Sequence, residues 1–247
     1  METDYIFDGS FEGLLTAIYD GYYEKNPPRQ IIPKWAYQFE LTKTFHEVVT
    51  NSDKFSKVSK AILDKIGREA FVKIYYAFLS EDTYAGITIF NYVKLGFKLG
   101  TRIQLYLTEP TVAKIEELNR KVGNERHRFL GLLRFHKLNS GVYYAPYSPQ
   151  YNISQIIVPH FAKRLATMNF IIHDTKRKIA TIYDSDTKEW YLSAFDANQY
   201  SLIAEDKYQH ELWKAFFKNI AIKERKNPNL QRQFMPKMYW GYLVEKQ

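Results

Sequence analysis

Four residues carry side chains suited to acid–base chemistry at places where a chain tends to expose them. His173 and Asp174 follow Ile171-Ile172 at the end of a predicted strand, where functional groups often emerge. A carboxylate beside an imidazole can orient it as a general base. His160 stands in Pro159-His160-Phe161-Ala162-Lys163-Arg164. Asp8 opens the run Asp8-Gly9-Ser10-Phe11-Glu12-Gly13, where a glycine between strand and helix turns backbone N–H groups outward as a seat for an anion. Each residue also has a plainer role. Asp174 can start a turn, His160 can fill or cap a core, and Asp8 can cap a helix beside Ser10.

A second set suits a polyanion. The C-terminal segment carries Lys223, Arg225, Lys226, Arg232 and Lys237, followed by Tyr239 and Trp240. From position 207 to the end there are nine Lys or Arg against three Glu, a local excess of six within a total net charge of +8. Cationic side chains neutralise phosphates, and aromatic rings stack on unpaired bases. The same run also fits a solvated face whose Phe234 and Trp240 pin the segment to a core. Arg126-His127-Arg128 with Arg134 is a smaller basic group, read either as an anion-binding edge or as a solvated helix end.

Composition narrows the chemistry. The 247 residues contain no cysteine, which excludes disulfides, thiolate nucleophiles and Cys-ligated zinc or iron–sulfur clusters. It also leans towards a reducing compartment. Six histidines are scattered without ligand spacing, so we expect no metal centre and no resident cofactor. No dinucleotide fingerprint, Walker A loop, zincin helix or nucleophile elbow occurs. The start Met1-Glu2-Thr3-Asp4 lacks the basic and apolar regions of a signal peptide, and the charge-free stretch 138–162 is broken by three prolines. The expectation is a cytoplasmic protein with no membrane segment. The 17 Phe, 20 Tyr and 4 Trp are an unusually large aromatic share, most of which fits helical core stripes.

The elements that must position these residues are legible as patterns. Residues 4–7 read as a short strand. Phe11, Leu14, Leu15, Ile18, Tyr19 and Tyr22 then form one helical face behind Ser10. Short extended pieces are expected at 36–40 and 45–49. Three helical stripes fill 52–100, and a fourth helix begins near Thr108. After that come strands at 130–136 and 142–147, a helix at 152–165, strands at 169–173, 178–183 and 189–192, and a helix at 206–222. Grouped helices followed by grouped strands argue for an α+β fold. The expected architecture is a mainly antiparallel sheet packed with helices, a single domain over 1–247 with a helical cap subdomain at 52–122.

Several stretches together resemble one bacterial family. They are Phe7-Asp8-Gly9-Ser10-Phe11-Glu12-Gly13, Arg134-Phe135, Tyr143-Tyr144-Ala145-Pro146, Pro159-His160-Phe161-Ala162, Ile172-His173-Asp174, Arg225-Lys226-Asn227-Pro228 and Met235-Pro236-Lys237-Met238-Tyr239-Trp240. The chain resembles the family named "probable DNA metabolism protein", a domain of unknown function. That domain also occurs fused to a uracil-DNA glycosylase-like domain, and its stand-alone members are encoded beside a DNA repair or modification radical SAM protein. The resemblance implies DNA as a partner and a radical SAM protein as a second one, and it supplies no catalytic residues. This chain has neither the glycosylase's water-activating loop nor its His-Pro-Ser-like segment. With no cysteine it cannot hold the radical SAM cluster, which would belong to the neighbour.

Three functions follow as expectations. The first is an accessory DNA-binding protein in repair or base modification, contacting phosphates through the C-terminal basic residues. The second is an enzyme acting on a nucleotide or nucleic acid through Asp8, His160, His173 and Asp174. The third is a protein-interaction adaptor that does not touch DNA.

Overall fold

A computed structural model describes residues 3–39, 44–195, 232 and 234–243. The fold is α+β, and the chain divides into two compact units, Met1–Gly123 and Asn124–Gln247.

The first unit is built on a three-stranded parallel sheet. Strand β1 (Thr3–Phe7) lies between β2 (Gln30–Pro33) and β3 (Thr44–Glu47). Tyr5, Ile6 and Phe7 are all buried, so both faces of β1 are covered, as a central parallel strand requires. Helix α1 (Phe11–Tyr23) follows β1, and α2 (Ser52–Lys65) follows β3. The two helices run the same way, since Thr16 lies beside Asn51 and Asp20 beside Lys54. Helices α3 (Arg68–Leu79) and α4 (Ala85–Leu99) complete the layer. Their apolar faces merge with the sheet in one core, to which Phe7, Leu15, Ile62, Ile74 and Phe90 contribute. A Cβ on Gly86 would collide with the Ile31 carbonyl, so only glycine lets α4 approach β2 this closely.

The expected helical stripes over 52–100 are these three helices, and the expected helix near Thr108 is α5 (Pro110–Leu132). That helix takes positions 130–132 of the strand expected at 130–136, of which only His136 lies in a strand. Val122, Phe129 and Leu133 are buried at a spacing of seven and four, which is the helical period. The run Phe129-Leu130-Gly131-Leu132-Leu133 satisfies both periods locally, and the longer stripe decides.

The second unit carries a five-stranded sheet in the order β4 (His136–Lys137), β5 (Tyr143–Tyr147), β6 (Phe170–Asp174), β7 (Ile179–Tyr183) and β8 (Trp190–Ala194). It is antiparallel except for β5 and β6. Those two are joined through α6 (Ser154–Arg164), the crossover that parallel neighbours need. Pro146 sits inside β5, but β4 pairs only with Tyr143 and Tyr144, so β5 is an edge at that point and can tolerate a proline. Phe129, Tyr147, Ile157, Phe161 and Phe170 make the core beneath. The helix expected at 206–222 lies outside the described residues. Among the described residues no helix is long and apolar enough to cross a membrane.

Candidate nucleic-acid interface

Three of the four acid–base candidates, Asp8, His173 and Asp174, are engaged in holding the fold. Asp8 belongs to the first unit, and His160, His173 and Asp174 belong to the second. The Asp8 carboxylate accepts from the Ser10 backbone N–H at 2.8 Å, the Ser10 hydroxyl at 2.6 Å and the Thr50 hydroxyl at 2.8 Å. Ser10 Oγ in turn accepts from Gly13 N–H at 2.9 Å, the N-cap bond of α1. The carboxylate therefore occupies the expected anion seat itself and ties the turn after β1 to the turn after β3. Burial works against its charge, but the bonds from Ser10 and Thr50 together hold its carboxyl below the usual range.

His173 and Asp174 are neighbours on β6, so their side chains leave opposite faces of the sheet. Both are buried. His173 Nδ1 shares a 2.6 Å hydrogen bond with the Tyr144 hydroxyl, and its ring lies 4.8 Å from that of Phe195. Burial, with Tyr242 nearby, pushes the Tyr144 hydroxyl up to about 12. Asp174 closes the turn after β6. It accepts from the backbone N–H of Lys176 at 3.0 Å and of Arg177 at 3.2 Å, and from Arg177 Nη1 at 2.9 Å. His160 is half-buried on α6, edge-on to its neighbour Phe161. The alternation of a strand thus separates the one His–Asp pair that sequence adjacency suggested.

The C-terminal candidates divide three ways. Lys223, Arg225 and Lys226 lie outside the described residues. Arg232 and Lys237 are exposed. Tyr239 is only 3% exposed. Its hydroxyl donates to Glu125 Oε1 at 2.7 Å, and its ring packs edge-on to Phe129 at 4.7 Å. A ring so enclosed has no face for a base, which corrects the stacking role expected of Tyr239. Trp240 is half-buried and donates its indole N–H to the Met235 carbonyl at 2.9 Å. Glu125 also accepts from the backbone N–H groups of Gln150 and Tyr151, each at 2.8 Å. One buried carboxylate thereby fastens the C-terminal segment and the loop after β5 to α5. In the smaller basic group, Arg126 donates to the Ile156 carbonyl and Arg134 caps the end of α5 at the Gly131 carbonyl.

A cleft in the first unit has the chemistry that these residues lack. It holds a cavity of about 260 Å³ between the C-terminal halves of α1 and α2 and the end of α4. Tyr19, Tyr22 and Tyr23 enter from α1, Phe97 from α4, and Lys57 and Lys65 from α2. Tyr22 is 41% exposed and Tyr23 73%, although the stripe to which Tyr22 belongs predicts burial. The rings support one another. Tyr19 and Tyr23 lie 5.0 Å apart, Tyr22 and Tyr23 5.4 Å, and Tyr22 and Phe97 5.6 Å with their planes at 81°. The first pair is tilted and the other two are edge-to-face, and such contacts hold aromatic rings in place.

The lysines stand over the rings. Lys54 and Lys57 lie 5.8 and 5.9 Å from the centre of Tyr19, and Lys65 lies 5.4 Å from that of Phe97. These are cation–π distances. Lys54 also pairs with Asp20 at 2.6 Å. Lys57 and Lys65 are exposed and have no ion pair among the described residues. Their charge is therefore available to an anion. Flat aromatic faces beside such cations are what a nucleic-acid strand uses, the faces for bases and the cations for phosphates. A signal for this cleft was present in the sequence: tyrosines at 19, 22 and 23 share one helical face, as do lysines at 54, 57 and 65.

A family model described as Domain of unknown function (DUF4130) matches residues 84–245. Phe97 is the cleft ring inside that match, and the tyrosines and lysines precede it. No curated protein matches the chain.

Proposed function

The chain belongs to the DUF4130 family, and within it we propose an accessory DNA-binding protein of repair or base modification, acting with a radical SAM protein that carries the cluster this cysteine-free chain cannot hold. The observation that carries the DNA reading is the pair Lys57 and Lys65, exposed, without an ion pair among the described residues and set over aromatic rings. Helix α2 bears four lysines against two aspartates, and α4 adds two lysines with no acid. Exposed Arg232 and Lys237 supply further cations in the other unit. Lysines of this kind neutralise phosphates and release counterions, so affinity must fall as salt rises. The link to a radical SAM protein rests on the family resemblance.

The enzyme reading gains nothing from the four acid–base residues, because Asp8 and Asp174 close turns, His173 faces a buried tyrosine and His160 has, among the described residues, only a ring contact with its neighbour Phe161. The adaptor reading is favoured by a separate feature. Trp35, Phe39 and Phe45 are 65%, 66% and 48% exposed, and Phe39 and Phe45 meet edge-on, which suits a protein contact.

Fluorescence anisotropy with labelled DNA across a salt series tests the proposal. Binding that weakens steeply with salt supports it. Absence of salt-sensitive binding to single- and double-stranded DNA alike overturns it and leaves the adaptor reading.

A further inference from the structure

We infer that the α1–α2–α4 cleft receives one unpaired base of single-stranded DNA, so that the protein selects single strands over duplex. This rests on the DNA reading above and names the form of DNA that the cleft takes.

The cavity of about 260 Å³ falls just under the roughly 300–1,000 Å³ range of ordinary small-ligand pockets. It has room for a planar ring system and little more. Its lining includes the rings of Tyr22, Tyr23 and Phe97 beside aliphatic side chains, and the charged groups among its described lining residues are Lys57 and Lys65, both on α2. Every base has a π-face that can enter such a site without regard to sequence. In a duplex those faces are covered by neighbouring pairs, and a base reaches a pocket only after it is unstacked and unpaired. A single strand offers the same face without that penalty.

The lysines define how the strand would lie. Lys57 and Lys65 are eight residues apart on α2, or about 12 Å along the helix axis, on either side of Ala61 at the cavity wall. Two cations at that separation meet the backbone of one strand at two points flanking the inserted base. A free mononucleotide, with a single phosphate, can satisfy only one of them. The tyrosines that form the platform are exposed, so replacing them removes the stacking surface without opening the core.

The test compares a short labelled oligothymidylate, a duplex of equal length and thymidine monophosphate, using wild type, a Tyr22→Ala/Tyr23→Ala double variant and a Tyr22→Phe/Tyr23→Phe control. Circular dichroism confirms that the variants are folded. The inference predicts that the single strand binds on the order of tenfold or more tighter than the duplex. It also predicts that the double alanine variant loses most of that preference, that the phenylalanine control keeps it, and that the monophosphate competes weakly. Equal affinity for both DNA forms, an unaffected alanine variant, or a monophosphate that binds as well as the strand would each overturn the inference while DNA binding stands. No binding to either DNA form would instead overturn the DNA reading itself.

Discussion

Tyr22 and Phe97 meet edge to face with centroids 5.6 Å apart across the mouth of the cleft that Lys57 and Lys65 border. The pairing joins α1 to α4. With the Tyr23 contact it explains why a ring that is 41% exposed still has a defined position: two aromatic neighbours hold it while part of its surface is left to solvent. A preorganised platform of this kind gives up little freedom when a ligand stacks on it.

Reversing the charge of either cleft lysine tests the phosphate-binding role. Lys57→Glu and Lys65→Glu should each weaken single-strand binding and flatten the salt dependence by about 0.7 in log–log slope for each phosphate left without its cation. Lys60→Glu, on an exposed lysine of α2 that does not line the cleft, should do less. Anisotropy titrations over several salt concentrations separate the three.

The Glu125 carboxylate is the fastening of the second unit. Tyr239→Phe removes one of its donors and should cost about 1–3 kcal/mol. Glu125→Ala strips an acceptor from Tyr239, Gln150 and Tyr151 at once and should cost more. Urea unfolding followed by circular dichroism measures both.

Acid should loosen the turn at Asp8. Burial raises its carboxyl, but the bonds from Ser10 and Thr50 outweigh that and bring the folded value below the ordinary carboxylate range. The stabilisation is therefore fully present above the unfolded value of about 4 and is lost as pH falls through the lower, folded value. The melting-temperature gap between wild type and Asp8→Ala should narrow as pH is lowered from neutral towards about 3. Ser10→Ala, which deletes the N-cap of α1, should cost about 1 kcal/mol at neutral pH.

Alkali should act through Tyr144. Its hydroxyl is raised to about 12 by burial, so the folded state holds the neutral phenol that the unfolded chain gives up near pH 10. That contribution is complete below about pH 10 and is lost as pH rises towards 12. Unfolding followed by circular dichroism should rise in that window, and Tyr144→Phe should reduce the pH dependence.

Much of the architecture is legible in the sequence because it follows from periodicity. The stripes from Phe55 to Phe97 and the Ser10 cap mark α1 to α4 within a few residues, and the strands around Ile172, Thr181 and Tyr191 stand where alternation places them. Leu130 to Leu133 mislead because a short apolar run fits both periods, and Phe129 and Leu133 settle it only when read with Val122. The parallel sheet around β1 is not legible, since β2 and β3 are four residues each and their pairing is a long-range choice. The site is less legible than the fold. His173 and Asp174 are adjacent in sequence and divided by the pleat. Tyr239 looks available beside Lys237 but is drawn inward by Glu125, which lies 114 positions away. Tyr22 looks like core but stands at the rim, because only helix packing decides which edge of a wide apolar face stays open.

Photo-crosslinking tests the central claim most directly. A single-stranded oligonucleotide carrying a halogenated uracil should crosslink to Tyr22, Tyr23 or Phe97 on irradiation, and excess unlabelled single strand should suppress the reaction. Crosslinks confined to other parts of the chain, such as the segment around Lys237 and Trp240, would contradict the assignment of the cleft as the DNA interface.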